Sequence, residues 1–419
     1  MRRLTLWAVV VAIAAGMGPV VTAQLELPDK YMESAVILAD WLVDNVHPAV
    51  PSWPYPWDPT RTDAGVAMDI VRVLNHMADL TGTASYADAA QAAAEFWVTT
   101  NILRDEAAVS DWLWDIGGTV QNYGWEEGAF EKVQYAFAGS YWPVKGEYAE
   151  VRGGTISFCG SVVRPLAGLL TFGDQYAEAI DTVTGWLFTD LDNKMPPSGN
   201  SPHRAYLGAQ TLTDSDGDGL IEVQYQLWGS SRQSAGQNAR LLAVLLDLGY
   251  QDEAIAIADW LLEVMWDEER GWFQTLFDVP AGACMTFEEY QDYSDINART
   301  AYGLLRVYEA TGDARYLDYA TRTLDWLVDE EMTVVPTEAG VQTYFTKPTV
   351  YGNHIIVVSL AKGYQVTGNP KYLSAALTTA DFLLGQMDDP FTGVESNAWT
   401  VQEALEALLA LLNLQGAKT

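Results

Sequence analysis

The sequence predicts an all-α fold, an (α/α)6 toroid of six helical hairpins with its long loops on one face. Three observations carry that expectation. One helical motif recurs about six times, a second helix set is apolar on most faces, and long and short connections alternate along the chain.

The recurring motif is Ala39-Asp40-Trp41-Leu42-Val43-Asp44. It returns as Ala258-Asp259-Trp260-Leu261-Leu262-Glu263, as Leu324-Asp325-Trp326-Leu327-Val328-Asp329 and as Ala380-Asp381-Phe382-Leu383-Leu384. Looser copies are Ala94-Glu95-Phe96-Trp97 and Thr184-Gly185-Trp186-Leu187. Polar stripes such as Asp40/Asp44 and Asp325/Asp329 make these helices one-sided, which suits an outer layer. Thr81-Gly82, Thr311-Gly312 and Thr367-Gly368 each lead to a tyrosine, Tyr86, Tyr316 and Tyr372. The glycines stand where a helix ends and the backbone needs positive φ. The tyrosines then face a neighbouring helix.

The second set falls at about 62–80, 159–172, 234–248, 296–310, 353–366 and 397–412. A helix that is apolar all round, as in the run from Leu241 to Leu246, is buried on all sides, so this set forms the inner layer. Outer-to-inner connections are long, at about 46–61, 104–157, 190–232, 267–291, 331–349 and 388–396, and inner-to-outer ones are only a few residues. Every long loop therefore emerges at the N-termini of the inner helices, and function concentrates on such loops.

The ends and the composition set the compartment and the partners. Met1-Arg2-Arg3, the apolar run Leu4–Ala15 and Val21-Thr22-Ala23 read as a signal peptide over 1–23, leaving a single toroid over 24–419 in a secreted or periplasmic protein. No second apolar stretch of about 20 residues follows, so no membrane span is expected. Against 56 Asp+Glu stand 23 Lys+Arg, a formal charge of −33. That excess argues against nucleic acid and anionic membranes as partners, and against a polyanionic substrate unless basic residues gather locally. Cys159 and Cys284 are candidates for one disulfide in an exported chain, with a buried free pair as the alternative.

In repeat number and loop asymmetry the chain resembles the six-hairpin glycosidase-like toroids and their relatives among polysaccharide lyases and sugar epimerases, over about residues 25–415. The resemblance implies carbohydrate chemistry in the cleft at the inner-helix N-termini, on a poly- or oligosaccharide. Aromatic side chains suited to stacking on sugar rings crowd the long loops, with Trp57, Trp125 and Trp228 the candidate platforms. Packing of loops onto the ring is the plainer role for any single tryptophan. Polar residues gather at the inner-helix starts: Asp63, Asn238, Tyr293, Asp295, Asn297, Arg299, Asn353 and His354. About half of these serve as plain helix caps.

Two chemistries fit. Hydrolysis needs one carboxylic acid and one carboxylate, for which Asp63, Asp295, Glu126 or Glu127, and Glu395 are placed. A lyase or uronate epimerase neutralises a carboxylate and abstracts a proton, for which Asn353, His354, Tyr293 and Arg299 would serve. The carboxylate excess on the site face favours hydrolysis. A non-catalytic glycan-binding toroid is a further alternative. His76 falls within the first inner helix and reads as structural, whereas His47 and His203 stand in loops.

The sharpest local motif runs from Thr213 to Glu222, an insertion near 190–232. Asp214, Asp216 and Asp218 alternate, Gly219 permits the sharp turn, Leu220 offers its carbonyl, and Glu222 stands ready as a further ligand. Tyr225 occupies the twelfth position and the following segment reads as extended, so a structural calcium site is expected here rather than an EF-hand switch.

Overall fold

The computed structural model describes residues 25–55, 58–100, 102, 104, 124–129, 134–135, 140–141, 154–157, 162–189, 209–213, 216, 218–225, 232–278, 281–285, 293–338, 340–345, 347–386 and 397–416. The expected alternation of outer and inner helices is present throughout. Outer helices are α1 (Asp29–Asp44), α3 (Ala84–Thr100), α5 (Ala177–Thr189), α7 (Gln251–Trp260), α9 (Ala314–Trp326) and α11 (Pro370–Gln386). Inner helices are α2 (Ala64–Thr81), α4 (Arg164–Leu169), α6 (Ala235–Asp247), α8 (Tyr293–Thr311), α10 (Val350–Thr367) and α12 (Ala398–Gly416). Inner neighbours pack side by side, α2 on α4, α6 on α8, α8 on α10 and α10 on α12. The last inner helix, α12, then returns to α1 and α2, so the two ends of the repeat meet and the ring closes.

The short turns follow the sequence rule. Gly82, Gly312 and Gly368 take φ of 72°, 71° and 69°, and each donates its N–H to the carbonyl four residues back, at Ala78, Tyr308 and Tyr364. A side chain would strain at this left-handed position, which is why glycine ends these helices.

The repeated motif has a physical purpose that its polar stripe only hinted at. Tyr86 donates to Asp40 at 2.7 Å, Tyr316 to Asp259 at 2.8 Å, and Tyr372 to Asp325 at 3.0 Å. Each bond latches one outer helix to the outer helix before it. The same latch spans the closure, where Tyr31 of α1 donates to Asp381 of α11 at 2.8 Å. The residue before the tyrosine adds a cation to the same acid: Lys30 to Asp381, Arg315 to Asp259 and Lys371 to Asp325. All four tyrosine rings are buried, and burial followed by the neighbouring acid pushes their phenols far above the ordinary value, so they stay donors at any pH the fold survives. The looser copies differ as their residues dictate. Glu95 replaces the acid opposite Tyr176, and between α5 and α7 Phe188 packs on Tyr250 with ring centroids 4.6 Å apart. Asp381→Ala removes the partner of a buried hydroxyl and of Lys30, an expected cost of about 1–3 kcal/mol in urea unfolding. An unchanged midpoint would deny the latch its role.

The described residues of the long-loop face include short strands. These are β1 (Pro54–Tyr55), β2 (Asp58–Asp63), β3 (Gly124–Trp125), β4 (Ser140–Tyr141), β5 (Gly154–Ser157), β6 (Ala209–Thr213), β7 (Leu220–Tyr225) and β8 (Arg232–Ser234), then β9 (Trp266–Asp267), β10 (Trp272–Phe273), β11 (Leu276–Asp278), β12 (Ala283–Met285), β13 (Met332–Thr337) and β14 (Gly340–Phe345). Their pairing stitches successive loops together: β2 with β4, β5 with β6, and β8 with β11. Among the described residues no helix is long and apolar enough to cross a membrane. Residues 1–23 and Cys159 lie outside the described residues. Cys284 is a free thiol that donates to the Val264 carbonyl at 3.2 Å, and burial raises it to about 11. A thiol held in that state is inert.

Candidate active site

The inner helices bring a layer of charge onto the ring axis. In α2, Arg72 reaches Glu406 of α12 at 2.8 Å, and Asp69 forms an ion pair with Arg164 of α4 at 2.8 Å. Burial opposes ionisation of Glu406, but the Arg72 and Arg240 guanidiniums outweigh it and hold the carboxyl below the ordinary value. Nearer the long-loop rim, Asp295 in the first turn of α8 accepts from Arg299 at 2.9 Å. This i,i+4 pair is a local consequence of helix geometry. Directly beside it lie His354 of α10 and Glu403 of α12, with Nδ1 3.5 Å from Oε2.

Among the described residues of the rim these two groups are strongly perturbed. His354 is 1% exposed and Glu403 is 4% exposed. Burial is the main cause in both, and Arg299 acts on both as well. It drives His354 well below the ordinary histidine value, so the ring is a neutral imidazole. It raises Glu403 to about 8 against the opposing pull of Arg299 and Arg164, so the carboxyl holds its proton at neutral pH. The rim thus pairs a protonated acid with a carboxylate, Asp295, that an arginine clamps. A separation of roles between two carboxyls in unlike environments is the arrangement that acid–base chemistry requires.

The aromatic neighbour of this layer is Trp399. Arg164 sits over its ring at 5.5 Å, and Tyr351 meets it edge-on with centroids 5.8 Å apart. Tyr351 is 47% exposed, at a break in α10 where Gly352 takes φ 85° and comes close to the Asp295 side chain. An exposed tyrosine over a tryptophan beside two carboxyls is a surface on which a sugar ring can stack.

Several expected site residues are used by the scaffold. Asp63 caps α2 and accepts from Val66 N at 3.0 Å. Asn238 donates to Ser234 O at 2.9 Å. Asn297 accepts from Phe273 N and donates to Phe273 O, pinning β10 to α8. Asn353 accepts from Phe345 N and donates to Lys347 O and Thr349 O, fixing the end of β14. Asn238 and Asn353 satisfy backbone groups of the segment that enters their helix, and Asn297 those of the earlier strand β10. His76 bonds Asn413 at 2.9 Å within the ring, as its place in the helix suggested. Trp53 is buried, and its indole donates to Leu42 O at 2.7 Å, so it packs the first loop onto the ring. Glu127 stands exposed in a turn. Trp125 lies in β3, paired with Ile221 of β7, and Tyr293 begins α8; nothing is described of either side chain. Trp57, Trp228, Asp214 and Glu395 lie outside the described residues.

In the acidic loop, Asp216 accepts from Asp218 N at 3.1 Å and Asp218 from Leu220 N at 2.8 Å, with Gly219 at φ 88°. The extended reading after the loop holds, since β7 runs Leu220–Tyr225 with Glu222 opposite Thr213.

Sequence reasoning missed Glu403, Glu406, Asp69, Arg72 and Arg164. The available signal was a breach of pattern. A helix set read as apolar carries charges at spacings of three, Asp69/Arg72 and Glu403/Glu406, which place both members on one helix face.

With this geometry in view, the chain has the fold of the six-hairpin glycosidase-like toroids. Residues 255–398, from α7 to the start of α12, match Glycosyl Hydrolase Family 88. A glycoside hydrolase family 76 mannosidase from Bacteroides thetaiotaomicron is similar in structure, with TM-score 0.58 and 14% identity over 92% of this chain and 98% of that one. Cellobiose 2-epimerase from Spirochaeta thermophila is similar at TM-score 0.61 and 12% identity, over 93% and 98%. A sugar epimerase from a ruminal bacterium gives 0.60 and 10%, over 91% and 98%. No curated protein matches the sequence.

Proposed function

We propose that the protein is an exported glycoside hydrolase that cleaves a poly- or oligosaccharide at the long-loop rim. The observation that carries this reading is Glu403, a buried carboxyl raised to about 8 beside the arginine-held carboxylate Asp295. Glu403 protonates the departing glycosidic oxygen. Asp295 supplies the negative charge that activates water or stabilises the oxocarbenium-like centre. His354, neutral and in contact with Glu403, positions the acid. The family match over residues 255–398 covers the segment that contributes Asp295 and His354 and ends before Glu403. Asp295→Asn is expected to lower kcat about 10²–10⁴-fold, while Asp63→Asn, at the residue that caps α2, leaves kcat within a few-fold. Full activity in Asp295→Asn would overturn the assignment.

His354 supports a second reading, sugar epimerisation, because a neutral imidazole at the rim can take a proton from carbon. Solvent deuterium incorporated into unhydrolysed sugar would favour it. Asn353 does not assist there, since its amide is spent on β14.

We also propose that the loop from Asp214 to Glu222 holds a structural calcium ion. One oxygen of Asp216 and one of Asp218 order the turn, and the alternate spacing of the three aspartates supports the reading. Calcium added to chelator-treated protein is expected to raise Tm by several degrees. No shift, or an equal shift in Asp216→Asn/Asp218→Asn, would refute the site.

A further inference from the structure

The ring axis holds a cavity of about 680 Å³ on the side away from the long loops. It descends from the charged layer at Asp69 and Glu406 to the short-turn ends of the inner helices at His76, Arg306 and Lys362. Arg299 and Arg164 form its upper end and link it to the rim, but Glu403, His354 and Asp295 do not line it. Its walls carry six basic residues against three acidic ones, Asp69, Asp247 and Glu406. In the whole chain the ratio is 23 basic to 56 acidic. The basic residues come from five different inner helices, α2, α4, α6, α8 and α10, so they converge on the axis.

Helix carbonyl ends crowd this face and would favour a cation. The basic side chains reverse that preference. At the rim Arg306 pairs with Asp247 at 2.6 Å and Lys362 with Glu309 at 2.7 Å, and both acids are exposed, at 47% and 39%. In each pair the acid faces solvent while the base is mostly buried, at 22% and 15% exposed, so a ligand oxyanion competes with the acid for the base. Tyr302, 3.5 Å from Arg306, and Gln365, 3.0 Å from Lys362, add neutral hydrogen-bonding groups beside the charges.

We propose that this axial cavity is a second ligand site, separate from the carbohydrate-processing rim, that takes a small polyol bearing an oxyanion. Arg306 and Lys362 grip the carboxylate or phosphate, and Tyr302 and Gln365 bond the hydroxyls. The walls enclose a volume that suits a ligand of one or two sugar rings. Arg72, Arg164, Arg299, Arg306 and Lys362 each already hold an acidic partner, so the anion enters by exchange with an acid at the mouth.

Isothermal titration of the full chain with glucuronate, glucose 6-phosphate, inorganic phosphate and neutral glucose tests this. One saturable site is expected for an anionic sugar and none for glucose. Glucuronate binding alone marks a carboxylate ligand, and glucose 6-phosphate binding alone marks a phosphorylated one. Arg306→Gln is expected to weaken binding at least tenfold and Arg306→Lys to restore part of it. The surface control Arg322→Gln and the rim variant Glu403→Gln are expected to bind as the parent does, so failure of the catalytic reading leaves this result intact. The proposal is overturned if no anionic sugar binds, if inorganic phosphate binds as tightly as glucose 6-phosphate while glucuronate does not bind, or if Arg306→Gln binds unchanged.

Discussion

Glu403→Gln is expected to abolish glycan cleavage while making the protein more stable at alkaline pH. The activity loss is that of a general acid, about 10²–10⁴-fold in kcat. The stability gain follows from proton linkage. In the unfolded chain a glutamate ionises near 4.5, whereas in the ring Glu403 keeps its proton to about 8. Between those values the folded state binds more protons than the unfolded one, so rising pH erodes stability, by at most about 1.4 kcal/mol per unit from this residue. Glutamine has no proton to lose. The stability difference between variant and parent should therefore be flat below pH 4.5, grow in the variant's favour up to about 8, and level off. His354 works in the opposite sense. It stays neutral in the fold while the unfolded chain protonates it below about 6.5, so falling pH costs stability there. Below about 6.5 the two contributions therefore oppose one another. Asp295, Glu406, Arg164 and Arg299 face Glu403 and set where its transition falls. A variant that tracks the parent at every pH would show that Glu403 is ionised in the fold.

Glu406→Ala is the substitution expected to destabilise the ring most. It strips Arg72 of its 2.8 Å partner and leaves Arg240 and Arg72, two like charges, facing one another on the axis. Breaking a buried pair costs about 3–5 kcal/mol, and the lower figure applies because the Arg72 side chain is 30% exposed. Replacing both partners together, Arg72→Met with Glu406→Met, should recover most of the loss, since neither charge is then left uncompensated. A double variant no better than the single one would mean that the pair contributes through its geometry and not its charge.

The ring was legible because its signals are short and repeated. A glycine at φ > 0, a tyrosine four residues later and an acid on the preceding outer helix each act over one turn or one seam, and the chain states them several times. Tyr31 and Asp381 show the limit of that reading. They lie 350 residues apart, and only closure reveals that the first and last outer helices share the latch. The site was less legible for two physical reasons. Asn238, Asn297 and Asn353 have the chemistry of substrate ligands, but an asparagine one turn inside a helix also reaches the backbone of a nearby strand, and the backbone demand prevails. Glu403 and Glu406 sit in α12, whose run of leucine and alanine reads as plain core. Their importance lies in what the other inner helices bring against them, Arg72, Arg164, Arg240 and Arg299, and that juxtaposition exists only in the closed ring.

The central claim is hydrolysis at the Glu403–Asp295 rim, and the mass of the products from a panel of neutral and acidic oligosaccharides tests it most directly. The expected result is a pair of fragments whose summed mass exceeds the substrate by one water in the parent protein, with no fragments from Glu403→Gln. Unsaturated sugar ends, inversion at carbon without cleavage, or undiminished cleavage by Glu403→Gln would contradict it.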